Sequence, residues 1–275
     1  MVSAGHIVVS RQKYLVPTKY NEVPFFAAQV ASGQLPPIEK RLPAEPFVVG
    51  PGVLNSERWL DWEVGRYGGT IRTPNLNGGV HELALAMGMT ILRAPDQSTK
   101  DPLPAIVSSY QISADYRQYT LTIRQGLKWS DGVPFTVDDI LFWYYDMTVN
   151  SDARSNPLFP SSWLVEGKPI EMEKVDDHTL RFRSHKPLGR ILDILCSDWI
   201  AFPKHILADS HPQYNPAADY ESLRDSTTTA QMLFNPRFPR ISAWAPVGWT
   251  RGQRLVYERN PYYFKVDSAG NQLPY

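Results

Sequence analysis

The residues most able to do chemistry in this 275-residue chain are Asp138 and Asp139, six histidines, Cys196 and a set of tryptophans. Two carboxylates flanking a bond are the acid and base of a glycosidase. Adjacent residues on a helix, however, point about a hundred degrees apart. Capping gives this pair a simpler role: Thr136 bonds the amide of Asp139, and the Asp139 carboxylate reaches back, with both acids at the positive end of a helix dipole. The histidines do not pair at helical metal-ligand spacing. His178 sits in a hairpin turn, while His205 and His211 flank a short helix, positions that suit surface or capping roles. Cys196 lies within the apolar run 191–200 and reads as a small hydrophobe; one cysteine excludes an intrachain disulfide and any multi-cysteine metal site. Trp129, Trp143, Trp163, Trp199, Trp244 and Trp249 could stack on sugar rings or peptide side chains, though any one alone more often fills a core. There is no phosphate-binding G-x-x-x-x-G-K-[ST], no G-x-G-x-x-G, no G-x-S-x-G and no H-E-x-x-H.

The elements that position these residues radiate from 119–146, YTLTIRQGLKWSDGVPFTVDDILFWYYD. Tyr119, Leu121 and Ile123 alternate with Thr120, Thr122 and Arg124, the pattern of a half-buried strand. Ser130-Asp131-Gly132 forms a tight turn in which glycine takes a positive φ. Thr136 then caps a helix whose Val137, Ile140, Leu141, Tyr144 and Met147 form one apolar stripe. Segments 170–175 and 179–184 flank Asp176-Asp177 as a β-hairpin. Segments 241–250 and 254–259 are two further strands joined across Arg251-Gly252, and 267–271 is a turn. Helices are expected over 22–30, 81–92, 188–200, 204–208 and 220–224, and strands at 7–9, 70–73 and 106–112. Residues 33–51 carry closely spaced prolines and read as an extended arm rather than part of a sheet core.

Lys plus Arg and Asp plus Glu number 28 each, so no net field draws the protein to nucleic acid or to an anionic membrane. A hydrophobic content of 43% supports a sizeable core. No run approaches the roughly 20 apolar residues of a membrane span. No signal peptide is visible in the first thirty residues.

Four stretches carry a family resemblance: GQLPPIEKRLPAEPFVV followed by GRYGGTIR, the 119–146 segment, VDDHTLRFR, and GQRLVYERNPYYFKVDSAGNQLPY. Over 33–275 the chain resembles the extracellular solute-binding proteins of family 5, the oligopeptide-, dipeptide- and nickel-binding components of ABC importers. The resemblance implies an α/β fold of the periplasmic-binding-protein-like kind, type II, in the cluster with an extra inserted lobe. It places an N-terminal extended arm at 1–45, the first part of lobe I at 46–82, inserted lobe II at 83–165 and the second part of lobe I at 166–275. Family members are about twice as long, so the chain is expected to be an N-terminal fragment, incomplete, with the third lobe absent.

The resemblance further implies a non-enzymatic, monomeric receptor, periplasmic or extracellular, with lipid anchoring left open. It captures a solute and passes it to ABC permease subunits, without a cofactor or metal. An oligopeptide is the first expectation, an oligosaccharide the second and a nickel chelate the third, with a carbohydrate-active hydrolase as the competitor from another class. Asn75, Asn77, Gly79, Phe159 and Trp163 are expected as partial ligand-binding lining, because ligands of such receptors bind where strand-end loops and aromatics converge. A turn or core role for each remains open.

Overall fold

The computed structural model describes the backbone of 6–9 and residues 12–54, 57, 61–74, 90–94, 102–154, 159–228, 231, 235–250 and 252–275. Its strands are β1 (His6–Val9), β2 (Phe47–Val49), β3 (Leu92–Arg93), β4 (Leu103–Pro104), β5 (Val107–Ser113), β6 (Gln118–Ile123) and β7 (Leu164–Val165). They continue with β8 (Lys168–Pro169), β9 (Glu171–Lys174), β10 (Thr179–Arg183), β11 (Trp244–Thr250), β12 (Arg254–Arg259) and β13 (Lys265–Asp267). The chain divides into two compact units, one of Met1–Arg11, Thr90–Ile123 and Phe135–Met232, the other of Gln12–Met89, Arg124–Pro134 and Leu233–Tyr275.

The first unit is built on a five-stranded antiparallel sheet, in the order β1-β5-β6-β10-β9. The alternation of Tyr119, Leu121 and Ile123 sets its register, because a one-residue slip would turn all three toward solvent. Ile112, Tyr119, Phe182 and Met172 form one row across four strands, and Tyr110, Leu121 and Leu180 form the next. All seven side chains are buried. The Asp176-Asp177 turn closes the β9–β10 hairpin as expected, with the His178 amide donating to the Asp176 carboxylate at 2.8 Å.

Thr136 caps the helix Val137–Leu141 through the reciprocal bonds expected from the sequence. Beyond it, Phe142–Val149 winds as a π-helix, a departure from the expected continuous α-helical stripe. The Asn150 amide donates to the Tyr145 carbonyl five residues back, at 3.2 Å. This wider turn places Phe142, Trp143 and Tyr144 in succession in the interior, where a 3.6-residue period would have exposed part of that run. The Tyr144 and Tyr145 hydroxyls donate to the carbonyls of Ile170, at 2.5 Å, and Met172, at 2.8 Å, tying the helix to the start of β9.

His211 corrects another expectation. It is fully buried rather than a surface residue, edge-on to Tyr220 and Phe142, with its Nδ1 accepting the Gln213 amide at 3.1 Å. The helices Ile191–Ser197, Lys204–Leu207 and Tyr220–Ser226 fall where they were expected, the last capped by Asp219, whose carboxylate accepts the Ser222 amide at 2.7 Å.

The second unit contains the β11–β12 hairpin and the parallel pair β2–β13. Pro246 lies at the hairpin's bulge, a position that does not require a ladder donor. The proline-rich 33–51 segment is not simply an extended arm. Ile38–Arg41 is a helical turn, and Phe47, Val48 and Val49 are completely buried as β2, flanked by β13. A continuous apolar run suits a parallel strand covered on both faces. Ile38, Leu42, Val48 and Val266 form a cluster over which Tyr14, Val16 and Tyr20 pack.

In the Ser130-Asp131-Gly132 turn, Gly132 has φ +88°, and the Val133 amide donates to the Asp131 carboxylate at 3.1 Å. A Cβ at Gly132 would stand 2.8 Å from the Tyr262 hydroxyl, so both the backbone conformation and the available space require glycine. The turn at 267–271 is also as expected: Asp267 is buried and accepts the amides of Ala269 and Asn271, each at 2.8 Å. Two expectations differ or fall outside. Residues 70–73 are irregular rather than a strand, and of the expected helix 81–92 only the last residues are described, Leu92 lying in β3.

Candidate functional site

Of the expected lining residues, Phe159 and Trp163 are described and lie on one loop of the first unit; Asn75, Asn77 and Gly79 lie outside the described residues. Pro160, with φ −60° and ψ 117°, leads the chain into a 3₁₀ turn over Ser161–Trp163, and the Trp163 amide donates to the Pro160 carbonyl at 3.0 Å. Proline presets φ for such an entry and gives up no needed donor.

The turn is held from both ends of the helix Ile191–Ser197. Before that helix, Arg190 Nη2 donates to the carbonyls of Ser161 and Ser162, each at 2.9 Å. At its C-terminal end, the Asp198 carboxylate accepts the indole Nε1–H of Trp163 at 3.0 Å and the Ser162 hydroxyl at 3.3 Å.

Trp163 is 0% exposed. Its ring packs against Trp143, Tyr144 and Phe182 with centroids at 5.4, 6.0 and 6.0 Å. All its accessible surface is used within the unit, and its one polar atom is satisfied by Asp198. Phe159 is half-buried, edge-on to Tyr144 at 6.3 Å, with the Arg154 guanidinium 5.9 Å from its ring centre. The Arg154 Nε is buried and without a hydrogen-bond partner. The loop thus joins a buried aromatic layer to a partly open aromatic ring beside a cation, an arrangement that can stack on a flat apolar face and bond to an oxygen at its edge.

The remaining tryptophans divide by unit and by exposure. Trp129 and Trp143 are core residues, Trp199 and Trp244 are half-buried, and Trp249 on β11 is 45% exposed. The Trp244 ring is covered by the Arg259 guanidinium at 5.3 Å. Among the described residues no cluster of three or more His, Cys, Asp or Glu could hold a metal ion. No helix of the described residues is long and apolar enough to cross a membrane. Sequence reasoning did not find Arg154, Arg190 or Asp198. The roles of Arg190 and Asp198 depend on contacts with a segment some thirty residues away, for which no local spacing signal exists, and Arg154 meets Phe159 through a loop that carries no regular period.

Known proteins are similar to this chain in both sequence and fold. The family model of the bacterial extracellular solute-binding proteins, family 5 Middle, matches residues 101–275, well over half of the chain. The periplasmic alpha-galactoside-binding protein of Rhizobium meliloti (strain 1021) is 31% identical over 259 residues, 90% of this chain and 36% of that protein. A probable ABC transporter-binding protein of Deinococcus radiodurans is 33% identical over 179 residues, 62% of this chain and 28% of that protein. Among solved structures, the oligopeptide-binding protein OppA superposes with a TM-score of 0.78 at 30% identity, over 94% of this chain and 40% of that one. The periplasmic binding protein MelB of Agrobacterium fabrum C58, in complex with stachyose, gives a TM-score of 0.77 at 25% identity, over 100% of this chain and 43% of that one. The chain therefore spans 36% of the galactoside-binding relative and 40–43% of the two solved structures. These relatives are substrate-binding proteins rather than enzymes. The fold is the α/β fold of periplasmic binding proteins, and the chain belongs to the bacterial extracellular solute-binding proteins of family 5.

Proposed function

We propose that this chain is part of the receptor of an ABC importer, capturing an oligosaccharide of the α-galactoside class outside the cytoplasm and delivering it to the permease. The observation that carries this reading is the 31% identity to an alpha-galactoside-binding protein across 90% of the chain. The likeness to the stachyose complex of MelB, which covers the whole chain, supports it. So does the partly open Phe159 ring beside Arg154, since an aromatic face and a guanidinium edge suit the apolar face and the hydroxyls of a sugar. In this reading Phe159 lines the site. Trp163 supports it from beneath, its indole occupied by Asp198.

A second reading is an oligopeptide receptor, the solute placed first on the sequence alone. It is favoured by the 30% identity and TM-score of 0.78 to OppA. Isothermal titration of the purified protein with stachyose and with a mixed oligopeptide library separates the two. Saturable heat with stachyose and none with peptides supports the galactoside reading, and the converse supports the peptide reading. Cleavage of stachyose to smaller sugars would overturn the receptor reading altogether.

A further inference from the structure

Arg240, in the second unit, is 6% exposed and has no acidic partner among the described residues. Its backbone is fixed: its amide donates to the Ser130 hydroxyl at 2.9 Å, and its carbonyl accepts the Ser130 amide at 2.7 Å. Of its guanidinium, Nη1 donates to the Phe238 carbonyl at 2.6 Å and the Pro239 carbonyl at 3.2 Å, and the Phe238 ring centre lies 4.8 Å away. Nε and Nη2 are buried with no hydrogen-bond partner. The Tyr257 hydroxyl, electrostatically coupled to this guanidinium, is likewise buried and unpartnered.

These orphans are not a random selection. Nε–H and Nη2–H are the two parallel donors on one side of a guanidinium, the fork that matches the two oxygens of a carboxylate. Burial lowers the guanidinium only to about 10, so it stays a cation at neutral pH. An unpaired buried cation is costly, and each unsatisfied donor adds to that cost. Two parallel donors left unmatched on one guanidinium favour a single anionic group there. Tyr257 is half-buried while its hydroxyl is shielded.

We propose that Arg240 and Tyr257 form a carboxylate receptor, in which the Nε and Nη2 fork grips both oxygens and the Tyr257 hydroxyl donates to one of them. This is a site apart from the Phe159 loop, and it stands whichever solute the protein captures. Two sources can present the carboxylate: a free organic acid, or an aspartate or glutamate side chain of the polypeptide.

Thermal unfolding of the purified protein at constant ionic strength distinguishes them. With a free acid, acetate raises Tm saturably over chloride; Arg240→Gln abolishes the rise and Tyr257→Phe weakens it. With a side-chain carboxylate, acetate and chloride act alike. The Tm loss in Arg240→Gln is then largest at neutral pH and shrinks as pH falls through the carboxylate range, about 3.5–4.5, because a protonated acid no longer pairs with the fork. Tyr257→Phe keeps the ring and follows the same pattern at smaller amplitude, so it decides the matter if Arg240→Gln does not fold. The proposal is overturned if acetate and chloride act alike in the unsubstituted protein and the Tm loss of the substituted ones does not change with pH.

Discussion

Asp139 caps two helices with one carboxylate: Oδ2 accepts the Thr136 amide at 2.9 Å, and Oδ1 accepts the Lys204 amide at 3.0 Å, at the first residue of the helix Lys204–Leu207. Its own carbonyl accepts the Phe202 amide at 3.2 Å, and the residue is 4% exposed. Asp138 faces outward, and its carboxylate meets the Lys174 ammonium at 2.7 Å. The adjacent acids thus have separate structural roles, which account for the pair without acid–base chemistry. Asp139→Ala should lower stability by about 2–3 kcal/mol, the loss of a cap together with a second charged hydrogen bond. Asp138→Ala, which breaks a partly exposed ion pair, should cost less than about 1 kcal/mol. Urea denaturation of both variants checks this, and a larger loss for Asp138→Ala would reverse the assignment.

In the proposed site, the loop at 159–163 would separate support from contact. Trp163→Phe removes the Nε1 donor to Asp198 and leaves a small void beside Trp143, so it should cost about 2–3 kcal/mol of stability. Phe159→Ala should instead act on solute binding, weakening it by up to about tenfold, the worth of one aromatic stack. Titration calorimetry and urea denaturation on both variants test the division. An unchanged Kd in Phe159→Ala would remove this loop from the site.

What was legible in the sequence was local. The strand Gln118–Ile123, the Thr136 cap, the glycine turn at Gly132 and the Asp176-Asp177 hairpin each depend on residues within a few positions of one another, so spacing and turn chemistry exposed them. The burial of Phe47–Val49 was hidden because its partner, Lys265–Asp267, lies near the other end of the chain, and the intervening prolines suggested an arm. The π-helix over Phe142–Val149 escaped because its aromatic run fits several periods, and tertiary packing chose among them. At the candidate site the aromatic content was legible, but which ring stays partly open was not. Trp163 and Phe159 look alike in sequence and differ only through Asp198 and the layer beneath them.

Cys196 offers a test of packing around the helix Ile191–Ser197. Burial is the main cause that pushes its thiol from 9.0 up to about 11, with the Asp193 charge adding to the effect. The thiolate is the reactive form, so at about pH 8 alkylation of the native protein should run roughly a hundredfold slower than in urea. The native rate should then climb as pH rises toward 11. Iodoacetamide labelling followed by mass spectrometry measures both rates, and equal rates in native and unfolded protein would show that the helix does not shield the thiol.

Tyr119 should make the fold sensitive to alkali. Its hydroxyl donates to the carbonyls of Leu188 at 2.6 Å and Tyr116 at 2.9 Å. Burial first, then the neighbouring Tyr116 and Asp115 charges, raise its phenol to about 12. Ionisation would leave an anion facing two carbonyl oxygens. Because the folded value lies above the unfolded one of about 10, this contribution is complete below pH 10 and is lost as pH rises through about 12. Tyr119→Phe should therefore be less stable by about 1–3 kcal/mol at neutral pH, since two acceptors lose their donor. Between about pH 10 and 12 the gap should narrow as the unsubstituted protein loses what the phenylalanine variant never had. Denaturant midpoints across that range test the sign: a gap that widens with pH would mean that the hydroxyl is satisfied in its ionised form, contrary to the two carbonyls it faces.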